Sequence, residues 1–107
     1  QPIVDTVLDH PIRASETLKD PAALQAVAAA LRSLLAAQPY LAVGCFFPRH
    51  AFRFRGQGAP LEMLVCFECI ALVARWGDAK FLCNVVKQRA AFETRLHEAG
   101  AHLSFLP

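Results

Sequence analysis

The chain has 107 residues, enough for one domain, and 55% of them are apolar against 19% charged. That excludes intrinsic disorder, whose signature is low hydrophobicity with high net charge. A net charge of +2 is too mild to hold nucleic acid through its phosphates, and Arg32 and Glu68 break the longest apolar runs well short of a membrane-spanning helix.

Gln1 stands where an initiating methionine would, with no basic-then-apolar leader after it. Both a mature form after signal removal and a trimmed chain fit this start. Ile3, Val4, Val7 and Leu8 form a small apolar cluster that reads as a short helical turn over 3–9, interrupted by His10-Pro11. A helix is predicted from about 21 to 37. Asp20 is its N-cap, Pro21 its first residue, and Leu24, Val27, Leu31, Leu34 and Leu35 its buried stripe. Gln38-Pro39 ends it.

From Tyr40 the pattern changes to strands. Leu41–Phe47 is an apolar run stopped by Pro48, and His50–Arg55 alternates with Phe52 and Phe54 on one side and Arg53 and Arg55 on the other. Residues 56–60 are a turn by composition. Leu61, Met63, Val65 and Phe67 then share one face of a strand, with Glu62, Leu64, Cys66 and Glu68 on the other. Ile70–Trp76 and Ala79–Val86 flank Gly77-Asp78, a two-residue hairpin signal that pairs Trp76 with Ala79 and Leu72 with Cys83. Lys87–Ala99 is a closing helix with Phe92, Leu96 and Ala99 inward and Gly100 as its stop. Strands flanked by helices, without βαβ alternation, predict an α+β fold. Its four to five antiparallel strands would carry both helices on one face.

Cys45-x4-His50 followed by Cys66-Phe67-Glu68-Cys69 offers three thiolates and one imidazole, which is enough for a tetrahedral zinc shell. Disulfides compete. Cysteines read as bridges in an oxidising compartment and as ligands or buried thiols in the cytosol. Cys83 reads as a small buried hydrophobe, so three cysteines remain and one bridge would leave one thiol over. A redox Cys-x2-Cys centre is disfavoured because Glu68 between the two thiols would raise a thiol pKa. For a Cys/His hydrolase, His50 has no Asp or Asn near it in sequence to orient it. His10, His97 and His102 fall in turns or on a helix surface, and no glycine loop cradles phosphate.

If Phe54 pairs with Met63 across the turn, Arg55 faces Glu62, Arg49 faces Glu68, and Arg53 faces Leu64. Such opposite charges help set register. Arg with exposed aromatics also suits a partner-binding face, and Arg49, Arg53, Arg55, Glu62 and Glu68 are its candidate residues.

The segment from Cys45 to Phe54, with its Cys-Phe-Phe-Pro-Arg-His run, and the later Cys66-Phe67-Glu68-Cys69 resemble a family of small, largely uncharacterised bacterial proteins. These carry a Cys-aromatic-x-Pro-Arg-His stretch, a glycine turn and a Cys-Phe-Glu-Cys strand. The likeness covers mainly residues 45–69. Ala51 and Ile70 depart from it, standing where the family often has glycine. What the resemblance implies is an immunity protein that neutralises an antibacterial effector delivered by a secretion system, often in the periplasm. The expectation is therefore a non-enzymatic protein-binding module without a cofactor, periplasmic or secreted, that inhibits a toxin by direct contact. The alternative is a small zinc-binding domain, which would be cytoplasmic, using Cys45, His50, Cys66 and Cys69. An uncovered sheet edge leaves pairing with a second copy open.

Overall fold

The computed structural model describes residues 3, 5–35, 48–56, 58–86 and 88–101. Its fold is α+β: two helices, a four-stranded antiparallel sheet and a separate two-stranded sheet. The strand expected over 41–47 lies outside the described residues.

The chain opens with a correction. Among the described residues of 3–9 no helical turn forms; β1 (Asp5–Val7) and β2 (His10–Ile12) pair as a hairpin. Leu8 and Asp9 at its tip both take positive φ, 48° and 65°, as the tight primed hairpin turns require of both central residues. Neither is the glycine or asparagine that normally announces such a turn, so local sequence hides it.

Helix α1 (Pro21–Ser33) begins where expected, with Pro21 in its first turn and the Asp20 carbonyl accepting the Leu24 N–H at 3.0 Å. The Asp20 side chain makes no capping hydrogen bond. Val27, Ala30 and Leu31 form the buried stripe, continued by Leu34, whereas Leu24 and Leu35 are exposed. The helix stops four residues short of the predicted end because the chain turns into sheet pairing. The Val86 N–H donates to the Leu34 carbonyl at 2.7 Å, and Leu35 bridges to Val85. Gln38-Pro39, the expected stop, lies outside the described residues.

The main sheet is a meander in the order β3 (His50–Phe54), β4 (Leu61–Cys66), β5 (Ala71–Trp76) and β6 (Ala79–Asn84). In the β5–β6 hairpin Trp76 pairs with Ala79 and Leu72 with Cys83. Gly77 takes φ +59° at the first turn position, which a side chain would resist. The β3–β4 register is shifted by two residues from expectation: Phe54 faces Leu61, Phe52 faces Met63, and Arg53 faces Glu62 rather than Leu64. A two-residue slip keeps every side chain on its own face, so the alternating pattern alone does not distinguish the two registers.

Helix α2 (Arg89–Glu98) buries Phe92 and Leu96. It ends in a Schellman arrangement, with the Gly100 N–H donating to the His97 carbonyl at 3.0 Å and the Ala101 N–H to the Leu96 carbonyl at 2.9 Å. The φ of +97° at Gly100 makes glycine the natural residue there.

One core joins the layers. Val27, Ala30, Leu31 and Leu34 from α1 and Phe92 and Leu96 from α2 cluster with Val65, Leu72 and Ala74 from one sheet face, and Phe52, Met63 and Cys83 pack around them. Cys83 thus sits half-buried against the core, where desolvation pushes its thiol pKa up. A second small cluster of Cys66, Cys69 and Ala71 lies apart from this core.

Candidate functional site

The sheet face opposite the main core carries a row of charges, one from each strand. Arg53, Glu62, Arg75 and Lys80 stand in register across β3, β4, β5 and β6. Glu62 is buried at its centre. Its Oε2 accepts from Arg53 Nε at 3.1 Å and Nη2 at 2.9 Å, and its Oε1 accepts from Arg75 Nη2 at 2.8 Å. Arg53 also donates from Nη1 to Asp5 Oδ2 at 2.6 Å and from Nη2 to the Thr6 carbonyl. One guanidinium therefore ties β1 onto the main sheet. Burial pushes the Glu62 carboxyl up, but the hydrogen bonds from Arg75 and Arg53 outweigh it and hold the group below its ordinary value. The Arg53 hydrogen bond likewise holds Asp5 low.

Of the five residues expected at a partner face, two are thus engaged in the fold, since the Arg53 and Glu62 side chains are only 19% and 10% exposed. Arg49 and Glu68 lie together on the surface, Arg49 Nε 3.8 Å from Glu68 Oε1, and Arg55 is exposed just beyond β3. The expected pairing of Arg55 with Glu62 does not occur. The two-residue shift gives Glu62 to Arg53 instead.

His50 occupies the opposite face. It is buried, with its ring edge-on to Phe67 (centroids 5.5 Å apart, planes at 89°) and to Phe92 (5.8 Å, 76°). Its Nε2 lies 3.3 Å from Glu93 Oε1, which also accepts from Arg89 Nε at 2.6 Å. The sequence carries the Arg89–Glu93 pair as an i, i+4 spacing on α2; only packing of α2 against β3 brings His50 to it. Desolvation lowers the His50 pKa, Glu93 raises it and Arg89 lowers it again, and the net result is below the ordinary value. The folded protein therefore favours neutral His50. Stability from this group is complete above the unfolded-state pKa of about 6.5 and is lost as pH falls through the lower folded-state value. Urea unfolding midpoints should fall from pH 7 toward pH 5, and His50→Gln should flatten that part of the profile; an unchanged slope in the variant would remove His50 as its source.

The cysteine motif closes β4 onto β5. A turn over residues 67–70 links the strands, and the Cys69 N–H donates to Cys66 Sγ at 3.3 Å. Ile70 takes φ +47°, the left-handed region where glycine is at ease, and its strain is offset by three hydrogen bonds. Its N–H donates to the Phe67 carbonyl at 3.2 Å, and its carbonyl accepts from Val85 N–H at 2.9 Å and from the buried Asn84 Nδ2 at 3.1 Å. Ala51, the other departure from the family pattern, lies inside β3 and takes no positive φ. Cys69 is disulfide-bonded, while Cys66 and Cys83 are free.

For the zinc alternative, Cys45 lies outside the described residues. His50 faces Val65, so Cys66, one residue further along β4, emerges on the other side of the sheet. In its disulfide, Cys69 offers no thiolate. Among the described residues no three His, Cys, Asp or Glu side chains are placed to hold a metal ion.

His10 Nδ1 lies 3.2 Å from the Leu8 carbonyl at the hairpin tip, and His97 is on the exposed side of α2. His102 lies outside the described residues. No helix of the described residues is long and apolar enough to cross a membrane.

The largest exposed side chains gather at the free end of the β5–β6 hairpin, a feature the alternation of the strands did not single out. Trp76 and Phe81 are 59% and 53% exposed and share one face, and Leu82 is 48% exposed on the other. Trp76 is held by its Nε1–H, which donates to the Ala59 carbonyl at 3.2 Å. Behind them Arg75 and Lys80 stand directly opposite each other, a like-charge pair that costs stability unless a carboxylate offsets it, as Glu62 does for Arg75.

No family model, curated protein or solved structure matches this chain.

Proposed function

We propose that the protein is a non-enzymatic binding module that recognises another protein through the end of the β5–β6 hairpin, and that it acts as an immunity protein neutralising an antibacterial effector. The observation that carries the binding reading is the exposed Trp76–Phe81 pair, with Arg75 and Lys80 on the reverse face of the same hairpin. Tryptophan and arginine dominate interface hot spots, and a solvated apolar pair of this size calls for a cover. The arrangement favours a partner with an apolar pocket edged by carboxylates. Arg55 adds exposed charge at the same end of the sheet, and Arg49 and Glu68 supply more at the other end. The toxin-inhibiting role rests on the resemblance of residues 45–69. The disulfide at Cys69 supports a periplasmic or secreted location, since cytosolic thiols are kept reduced.

The test is affinity capture of the full chain from its own cells, with W76A/F81A alongside. The expected result is one stoichiometric protein partner, retained by the native chain and lost by the variant, with the two chains giving the same circular dichroism. Co-expression with that partner should protect cells from its toxicity. Recovery of no partner, or equal recovery by the variant, ends the reading.

A further inference from the structure

A cleft of about 300 Å³ opens between the β1–β2 hairpin and β3, away from the Trp76 surface. Its lining divides by chemistry: His10, Arg13 and Arg49 are basic, and Ile12, Pro48 and Leu64 are apolar. No Asp or Glu is among the described lining residues, and the residues outside the description contain none. Arg49 carries a further observation. Its Nε is buried and makes no hydrogen bond among the described residues, and its ion-pair neighbour Glu68 stands at 3.8 Å, beyond hydrogen-bond reach. Buried donors are almost always paired, so an unmatched one in a cationic cleft marks the place of an absent acceptor.

We propose that this cleft is a binding site for a carboxylate carried on a short apolar body. Arg49 and Arg13 hold the anion, and Ile12, Pro48 and Leu64 cover the body. The guanidinium fork matches a carboxylate in a bidentate manner. A free phosphate would satisfy the same donors while leaving the apolar half of the cleft empty, which sets the preference between the two. The volume is at the small end of small-ligand sites, right for a compact organic acid or one terminal residue of a peptide. The site goes beyond the protein-binding reading and stands without it, because it shares no residue with the hairpin end.

Titration of the 15N-labelled full chain with N-acetyl-leucine, its amide and inorganic phosphate tests this. The expected result is saturable movement of the Arg49 Nε–H signal and of amides at 10–13 and 48–51 with the acid. The amide and phosphate should each bind about tenfold or more weakly, a difference of about 1.4 kcal/mol. Arg49→Gln should lose about tenfold, and Arg49→Lys should recover only part of it. Arg13→Gln, on the exposed arm of the hairpin, gives a second measure should the Arg49 variants fail to fold. Equal binding of acid and amide, phosphate binding as tightly as the acid, or unchanged affinity in a folded Arg49→Gln or Arg13→Gln chain would each overturn the proposal.

Discussion

Replacing Phe92 with alanine is expected to cost about 3–5 kcal/mol, the range for an aromatic removed from a packed core. Phe92 is 2% exposed and sits where the two helices meet the sheet. Its ring touches three others, with centroids 5.5 Å from Phe67, 5.8 Å from His50 and 6.0 Å from Phe52. The truncation removes both the transferred apolar area and the edge-to-face contacts, and it leaves a space that α2 cannot close without pulling Glu93 away from His50. Because small domains hold only about 5–15 kcal/mol in total, this one change should remove a large part of the stability. Urea denaturation should show the midpoint moving sharply at constant slope, while Phe92→Leu should lose much less. A loss below about 1.5 kcal/mol for the alanine would mean that the ring is not the junction of the layers.

The second large effect is at Glu62. Glu62→Ala is expected to cost about 2–3 kcal/mol, because it removes two of the hydrogen bonds that hold the largely buried Arg53 guanidinium and leaves it Asp5 and the Thr6 carbonyl. The same change leaves Arg75 facing Lys80 without the carboxylate that offsets its charge. Glu62→Gln keeps the shape and tests the charge alone, and a double-mutant cycle with Arg53 should show positive coupling. The pH dependence follows from the direction of the shift. Glu62 is held below its unfolded-state pKa of about 4.3, so its contribution is complete above that value and is lost as pH falls through the folded one. This acid loss should vanish in Glu62→Gln, separately from the His50 step at higher pH. Were Glu62→Ala as stable as the native chain, the network would be ornamental, and β1 would have to be held by other contacts.

Both residues show where the chain's information lies. Val27, Leu31 and Leu34 at helical spacing, Pro21 at a helix start, Gly100 at a helix end and Gly77-Asp78 between apolar strands are local signals. Each acts within a few residues, and the structure places the corresponding elements accordingly. The β5–β6 register was readable because a two-residue turn permits only one pairing. The β3–β4 register was not, because the longer turn after Phe54 tolerates a slip of two residues that leaves every face unchanged. Arg53 was accordingly expected opposite Leu64, when it is the residue that fastens β1 to the sheet. The N-terminal hairpin was hidden by Leu8, whose side chain disfavours the positive φ that the turn requires.

The candidate sites divide in the same way. Composition and charge argue against disorder and charge-held nucleic-acid binding, from summed properties of the chain. Three-dimensional packing decided that His50 meets Glu93 and Arg89 of a helix some forty positions away, and that His50 and Cys66 leave the sheet on opposite faces. It also decided that Trp76 and Phe81, which share the face of the core, reach past its edge into solvent. The alternation of a strand says which side a residue takes. How far the opposing layer extends over that side depends on helix length and position, and those are settled only when the whole chain has packed.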